Sequence, residues 1–352
     1  MRTFTIGFDE AAYNEAPHAE AVARHLGTEH STLRVTEAQT RAVIPELPQF
    51  YDEPFADSSQ IPTYMVCQAA RTGVTVALSG DAGDELFGGY NRHIFGPKVW
   101  RRISWAPPIM RRVAGAAVQA VPEGAWDGVA AVSGRIRGGP KVALAGGKIH
   151  RLAARVQSAT TLDQWYGDIV SICNDPSMLI AGRVEEPVSL LADALPRLGV
   201  EDPAARMMLQ DMRSYLPDDI LCKVDRAAMA VSLETRVPFL DPQVIALAAR
   251  LPVAMKIREG RGKWALRQVL YRHVPAALID RPKLGFSIPL GMWLRGPLRD
   301  WAEDLLSEQG LTADGLLNPV PVRRIWEEHL SGRRDLSNQL WTILMLQAWR
   351  RG

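Results

Sequence analysis

The sequence predicts an α/β protein, with a doubly wound parallel sheet over residues 1–92 and a mainly helical region over residues 93–352. Three observations lead there. Three short β-branched or apolar runs, at residues 4–8, 31–35 and 74–78, alternate with helical patterns inside the first eighty residues. The third run carries no charge and reads as a strand buried on both faces. Past Tyr90 the strand signal gives way to helical periodicity.

Each element has a local reason. Phe4, Ile6 and Phe8 alternate with Thr5 and Gly7, the period of a strand, which ends at Asp9. From Pro17 to Leu26 the residues Ala21, Val22 and Leu26 share one helical face, and Gly27 is the stop. Residues 31–35 form the second strand. Thr36 and Gln39 make a capping box that opens a helix, which Pro45 and Pro48 disrupt. Residues 51–59 are a polar loop, residues 62–71 a helix, and residues 74–78 the third strand. Residues 135–147, rich in Gly and Arg, read as a mobile loop. The chain is helical again over 204–251, interrupted at Arg236-Val237-Pro238-Phe239-Leu240-Asp241-Pro242. Near the end, Trp264, Trp293, Trp301, Trp326, Trp341 and Trp349 are large core or interface anchors. A last helix starts at Ser337 with Leu340, Ile343, Leu344 and Gln347 at helical spacing.

The totals exclude several classes. An apolar content of 47% with 23% charged residues is that of an ordinary globular chain, not a disordered one. A formal net charge of +2 offers no electrostatic case for nucleic acid or an anionic membrane. No apolar run approaches the ~18 residues of a membrane span, and the start reads as a strand rather than a signal peptide. Cys67, Cys173 and Cys222 are odd in number and far apart, with no C-x-x-C, which argues against a disulfide framework or structural zinc. A reducing cytoplasm is the expected location.

Four stretches could carry chemistry. The first is Leu78-Ser79-Gly80-Asp81-Ala82-Gly83-Asp84-Glu85-Leu86-Phe87-Gly88-Gly89-Tyr90, at the carboxyl end of a strand, where open α/β sheets bind ligands. Its three acids repel one another and need a counter-charge, while Gly80 and Gly83 permit tight turns and close approach to a ligand. The second is the loop ending Asp57-Ser58-Ser59, whose serines either hold a polar ligand or cap the next helix. The third is the stretch 221–239, where Lys223, Asp225, Arg226 and Glu234 put charges of alternating sign in a helix that otherwise looks buried. It reads as an internal salt-bridge network or as a wall that recognises a charged substrate. The fourth is Arg281-Pro282-Lys283-Leu284-Gly285-Phe286, which holds a lysine in a rigid turn suited to a phosphate. Acids that need a cation and a lysine that needs an anion together suit magnesium-nucleotide chemistry.

These four stretches, with Arg236-Val237-Pro238-Phe239-Leu240-Asp241, resemble the synthetase domain of the glutamine-hydrolysing asparagine synthetase family in order and approximate spacing along nearly the whole chain. The resemblance implies a sheet of the ATP-pyrophosphatase type followed by a helical region. It also implies the reaction, in which aspartate attacks the α-phosphate of ATP to give β-aspartyl-AMP and pyrophosphate, and ammonia then displaces AMP. By that resemblance Ile6, Ser79 and Gly80 contact ATP, Asp81 supports adenylate formation, and Asp84 is a Mg²⁺ ligand. Lys283 stabilises the pentavalent phosphorus and the departing pyrophosphate, and Asp57, Lys223, Asp225 and Glu234 contact substrate or support residues that do.

The sequence also departs from the family. Met1 is followed by Arg2, with no N-terminal glutaminase domain to supply ammonia. The pyrophosphate loop Ser-Gly-Gly-x-Asp-Ser is absent; the only Ser-Gly pairs are Ser79-Gly80, Ser133-Gly134 and Ser331-Gly332. The expectation is an incomplete sheet lacking a central strand, in an N-terminally truncated chain with negligible activity of its own. A related adenylating ligase of β-lactam synthetase type and a degenerate non-catalytic subunit are the alternatives. Homodimer formation is left open.

Overall fold

Two parallel strand pairs, rather than one continuous sheet, make up the β layer of the computed structural model, which describes residues 1–8, 14–129, 145–173, 175–182, 199–281, 288–313 and 315–352. Strand β1 (Arg2–Phe8) pairs with β2 (Glu29–Val35) in parallel, with Arg2 opposite Glu29 and Phe8 opposite Val35. The crossover is the helix Ala16–Leu26, which ends at Gly27 with φ 65°, the left-handed conformation a C-terminal glycine adopts without steric cost. The capping box at Thr36 forms as the spacing predicts and opens Glu37–Ala42.

The second pair differs from expectation. Strand β3 (Val76–Leu78) pairs in parallel with β4 (Glu234–Arg236), in a segment that the charge pattern places inside a helix. That helix, Cys222–Met229, stops early; Ser232 takes φ 57°, Leu233 turns into the core, and the chain runs on as a strand. Glu234 N–H donates to Thr75 O at 3.0 Å, and Ser79 N–H donates to Arg236 O at 2.9 Å, lengthening the ladder at both ends. Nor is β3 buried on both faces, since Val76 is 39% and Leu78 72% exposed. Among the described residues no strand lies between β1 and β3, and their outer edges line one cavity. Arg2 Nη1 donates to Gly73 O at 2.7 Å and ties the start of β1 to the approach of β3.

Helices cover this layer. Gln60–Arg71 buries Ile61 and Met65 against Ile6, Phe8 and Val35, and the same core takes in Trp293, Trp326 and Trp341 from the last sixty residues. A second cluster joins Leu86 and Phe87 of the short helix Gly83–Phe87 to Leu216, Ile220 and Ala248. A buried carboxylate anchors the middle of the chain. Asp211, fully buried, accepts from Arg92 Nε at 2.9 Å and from the Tyr166 hydroxyl, and lies 2.5 Å from His93 Nε2. Those contacts lock the helices Asn91–Ile103, Leu162–Val170 and Pro203–Arg213 together, since a charge taken out of water needs partners. Of the 135–147 loop reading, residues 135–144 lie outside the described residues; residues 145–147 begin the helix Ala145–Ser158 instead.

The last helix, Ser337–Arg351, begins where the sequence predicts and buries Leu340, Ile343, Leu344 and Gln347. It carries two tryptophans in opposite situations, Trp341 with no exposed surface and Trp349 with 38%. Trp341→Ala is therefore expected to cost about 3–5 kcal/mol in a urea unfolding series, and Trp349→Ala under about 1 kcal/mol.

Candidate functional site

The acidic loop leaves β3 and turns at once. Its left-handed residue is Ala82 (φ 64°), not Gly80 or Gly83, so the turn holds a strained conformation at a buried alanine. Gly80 instead faces open space, with no atom within 4 Å of where a Cβ would stand. Ser79 Oγ hydrogen-bonds the Asp81 carboxylate and also accepts the Asp81 N–H at 3.2 Å.

Each acid of the loop has its own partner. Asp84 Oδ2 lies 3.0 Å from Lys263 Nζ. Glu85 is buried, and the Tyr90 hydroxyl donates to its Oε1 at 2.6 Å. Burial pushes the Glu85 carboxyl above the usual carboxylate range, and the hydrogen bond from Tyr90 only partly offsets it. Glu85 is thus a core group, whereas Asp81 and Asp84 keep part of their surface in water.

A second cluster forms where the 51–59 loop meets the segment 216–229. Lys223 Nζ, with its side chain 9% exposed, donates to Asp57 Oδ2 at 2.6 Å and to Ser59 Oγ at 2.8 Å. Ser59 in turn donates from N at 2.9 Å and from Oγ at 2.7 Å to Asp57. Burial would raise the Asp57 carboxyl, but the Lys223 ammonium and these hydrogen bonds hold it below the ordinary range. Asp219, on the π-helical turn Leu216–Leu221, stands beside the pair. Burial and the neighbouring Asp57 charge raise its carboxyl to about 7, against the pull of Lys223. Its Oδ1 is buried with no hydrogen-bond partner among the described residues.

Three separated stretches converge on one cavity of about 730 Å³ between the edges of β1 and β3. Ser79 and Asp81, then Ser59, then Lys223 line its polar part, and Phe4 and Val66 its apolar part. That volume and mixed lining suit a small ligand with charged groups at one end. The other residues singled out in the sequence lie elsewhere. Ile6 is 3% exposed inside β1 and does not line the cavity, which β1 meets through Arg2, Thr3 and Phe4. Asp225 is exposed on the helix surface, and Glu234 is exposed on β4 with Arg236 Nε at 2.6 Å. Lys283 lies outside the described residues. Asp219 and Lys263 are additions that sequence reasoning missed, and only the helical spacing from Asp219 to Lys223 carried a local signal for the first.

Comparison with known proteins agrees along the whole chain. The family model described as asparagine synthase matches residues 1–351. A Mycobacterium tuberculosis protein provisionally named asparagine synthetase (glutamine-hydrolysing) is 36% identical over 351 residues, 99% of this chain and 50% of its own length. Asparagine synthetase (glutamine-hydrolysing) 1 of Bacillus subtilis is 29% identical over 355 residues, 99% of this chain and 52% of its own. The chain thus spans about half the length of the curated relatives it matches along its full extent.

The raised Asp219 carboxyl has a measurable consequence. Between its ordinary value of 3.8 and about 7 the folded protein keeps a proton that the unfolded chain releases, so this group lowers stability as pH rises through that window. Asp219→Asn removes the effect. From pH 4 to pH 8 the variant is expected to gain about 1–3 kcal/mol on the wild type in urea unfolding, and a constant difference would contradict the assignment.

Proposed function

The chain belongs to the asparagine synthase family, and from that premise we propose that it carries the ATP-dependent half of a glutamine-hydrolysing asparagine synthetase. In this reading a β-carboxylate oxygen of aspartate attacks the α-phosphorus of ATP. The bond to the β-phosphate breaks and pyrophosphate leaves. Ammonia, released from glutamine elsewhere, then attacks the acyl carbon; the bond to AMP breaks and a proton passes to base, leaving asparagine. The observation that carries the reading is the convergence of Ser79, Asp81, Ser59 and Lys223 on one cavity.

Ser79 and the open Gly80 backbone contact the nucleotide, and Ile6, buried two residues along β1 from the lining residue Phe4, is the further contact that the family resemblance suggests. Asp81, oriented by Ser79, supports the step that joins carboxylate to phosphorus. Lys283 stabilises charge on the phosphates as it develops. Lys223, fixed by Asp57 and Ser59, is the cation for the α-carboxylate of aspartate. A buried ammonium in the lining favours a short, charged acid over the larger acid of a β-lactam synthetase-like ligase. Asp225 and Glu234, being exposed, act at most as supports.

Magnesium fits as a shared ligand. Mg²⁺ takes six oxygens, usually from one or two carboxylates with phosphates and waters. Among the described residues no three His, Cys, Asp or Glu side chains gather as a metal cage, so Asp84 would hold the ion together with nucleotide phosphates. Bound there, it would offset negative charge on those phosphates. The location proposed is cytoplasmic; no helix among the described residues is long and apolar enough to cross a membrane.

The facing edges of β1 and β3 support a further part of the proposal, that a strand from outside these 352 residues completes the sheet for turnover. The purified chain is then expected to bind ATP in equilibrium dialysis, and Ser79→Trp, which crowds the cavity, to weaken binding at least about tenfold. Aspartate-dependent exchange of labelled pyrophosphate into ATP is expected to be negligible. Absence of ATP binding would contradict the nucleotide reading, and clear exchange would contradict the need for a further strand.

A further inference from the structure

The total charge of +2 conceals an uneven distribution. Residues 91–122 hold six Lys and Arg and not one Asp or Glu, which leaves the rest of the chain net negative. They fold as the helices Asn91–Ile103 and Pro108–Ala120, joined by a turn at 104–107. The second helix is built inside out. Arg111, 6% exposed, faces inward, where its Nη1 donates to Ala159 O at 2.7 Å. Gly115 lies on the same buried face, and a Cβ there would stand 2.3 Å from Gln157 Cγ and 2.9 Å from Ala153 O. The apolar side chains point the other way, with Ile109 71%, Val113 65% and Met110 55% exposed. Trp105, in the turn, is 75% exposed.

Folding alone would favour the reverse, since burial stabilises apolar area and a buried charge is costly. Cations frame the apolar patch. Arg101 and Arg102 stand one turn before Trp105, and Arg112 follows Ile109 by three residues, the spacing of neighbours on a helix surface. All three are exposed, and none forms an ion pair among the described residues. Tryptophan and arginine beside an apolar helical face are the composition of a helix that lies in a lipid headgroup layer. These apolar side chains stand out from the surface, and the arginines beside them are unfixed. A protein partner would have to supply a matching hollow and order those arginines, whereas a fluid lipid layer needs neither.

We propose that this helix pair docks the protein on an anionic lipid surface. Trp105, Ile109, Met110 and Val113 enter the boundary between headgroups and acyl chains, and Arg101, Arg102 and Arg112 meet the headgroup phosphates. Such a dock is peripheral and needs no spanning helix. The inference goes beyond the ligase reading and does not depend on it. It narrows the proposed cytoplasmic location to the face of a membrane.

The test is flotation of the 352-residue chain with vesicles of phosphatidylglycerol and phosphatidylcholine in equal parts, and with vesicles of phosphatidylcholine alone. Binding is expected to be at least about tenfold stronger on the anionic vesicles and to weaken as salt rises. Arg101→Glu with Arg102→Glu, and separately Ile109→Ser with Val113→Ser, are each expected to weaken it at least about tenfold. All four side chains are exposed, so the urea midpoint is expected to move little. Should a double variant fail to fold, Arg112→Glu repeats the charge test and Trp105→Ser the apolar one. No binding to anionic vesicles, equal binding to neutral ones, or unchanged affinity in either double variant would overturn the proposal. Sedimentation velocity without lipid tests the rival occupant. A dimer that Ile109→Ser with Val113→Ser converts to monomer would mean that a second copy covers this face, and would also overturn the proposal.

Discussion

Drawing a lysine ammonium out of water is costly unless an anion meets it, and Lys223 is 8% exposed. Its bond to Asp57 is the contact on which the rest of the site depends. Asp57 belongs to the loop after the first two strands, and Lys223 to the helix that leads into β4. The pair holds the two halves of the β layer in relation to each other together with the Arg2–Gly73 O bond and the apolar cluster that takes in Phe4, Val74, Ala77 and Leu233, while the two strand pairs share no sheet ladder. The Tyr51 hydroxyl, 3.4 Å from Lys223 O, strengthens the same junction from the other end of the loop. Asp219 adds a second carboxyl to one ammonium; its burial, and after that the neighbouring Asp57 charge, is why it resists ionisation, whereas Asp57 is held ionised by Lys223 and Ser59.

The acidic loop obeys the same electrostatics. Three carboxylates close together cannot all face a common space, so the fold separates them. Asp81 is turned back on Ser79, Asp84 is drawn to Lys263, and Glu85 goes into the core under Tyr90. Tyr90 also packs beneath the Arg92 guanidinium, 4.0 Å from its ring centroid, and Arg92 binds the buried Asp211. The loop is in this way bolted to the helical region through one aromatic ring. Its strained Ala82 persists because both ends of the turn are fixed, by β4 on one side and by the Gly83–Phe87 helix on the other.

Much of this was legible in the sequence, and the gaps have physical causes. The first two strands, the capping box at Thr36, the stop at Gly27 and the last helix all rest on short-range signals, and all form. Strand β4 was not legible because three residues are too few to establish a period, and the helical pattern of 222–229 ends only four residues before them. The exposure of β3 escaped notice because hydrophobicity reports what a strand can bury, not what is present to cover it. In the site, Ser79 and Asp81 were readable from their place at a strand end. Lys263 was not, since its meaning comes from Asp84, Gly88 and Gly89, which are remote in the chain. The position of Lys283, singled out from its Pro/Gly turn, lies outside the described residues.

A buried ion pair, and not sheet hydrogen bonding, is the polar contact that fixes the 51–59 loop against the helix before β4, beside the cavity. A double-mutant cycle on Asp57→Asn and Lys223→Met, read by urea unfolding, tests it most directly. Each single substitution is predicted to cost about 2–4 kcal/mol, below the full range for a buried pair because Asp57 keeps some contact with water. The double variant is predicted to recover at least about 1.5 kcal/mol of their sum. Costs that add within about 0.5 kcal/mol would contradict the claim.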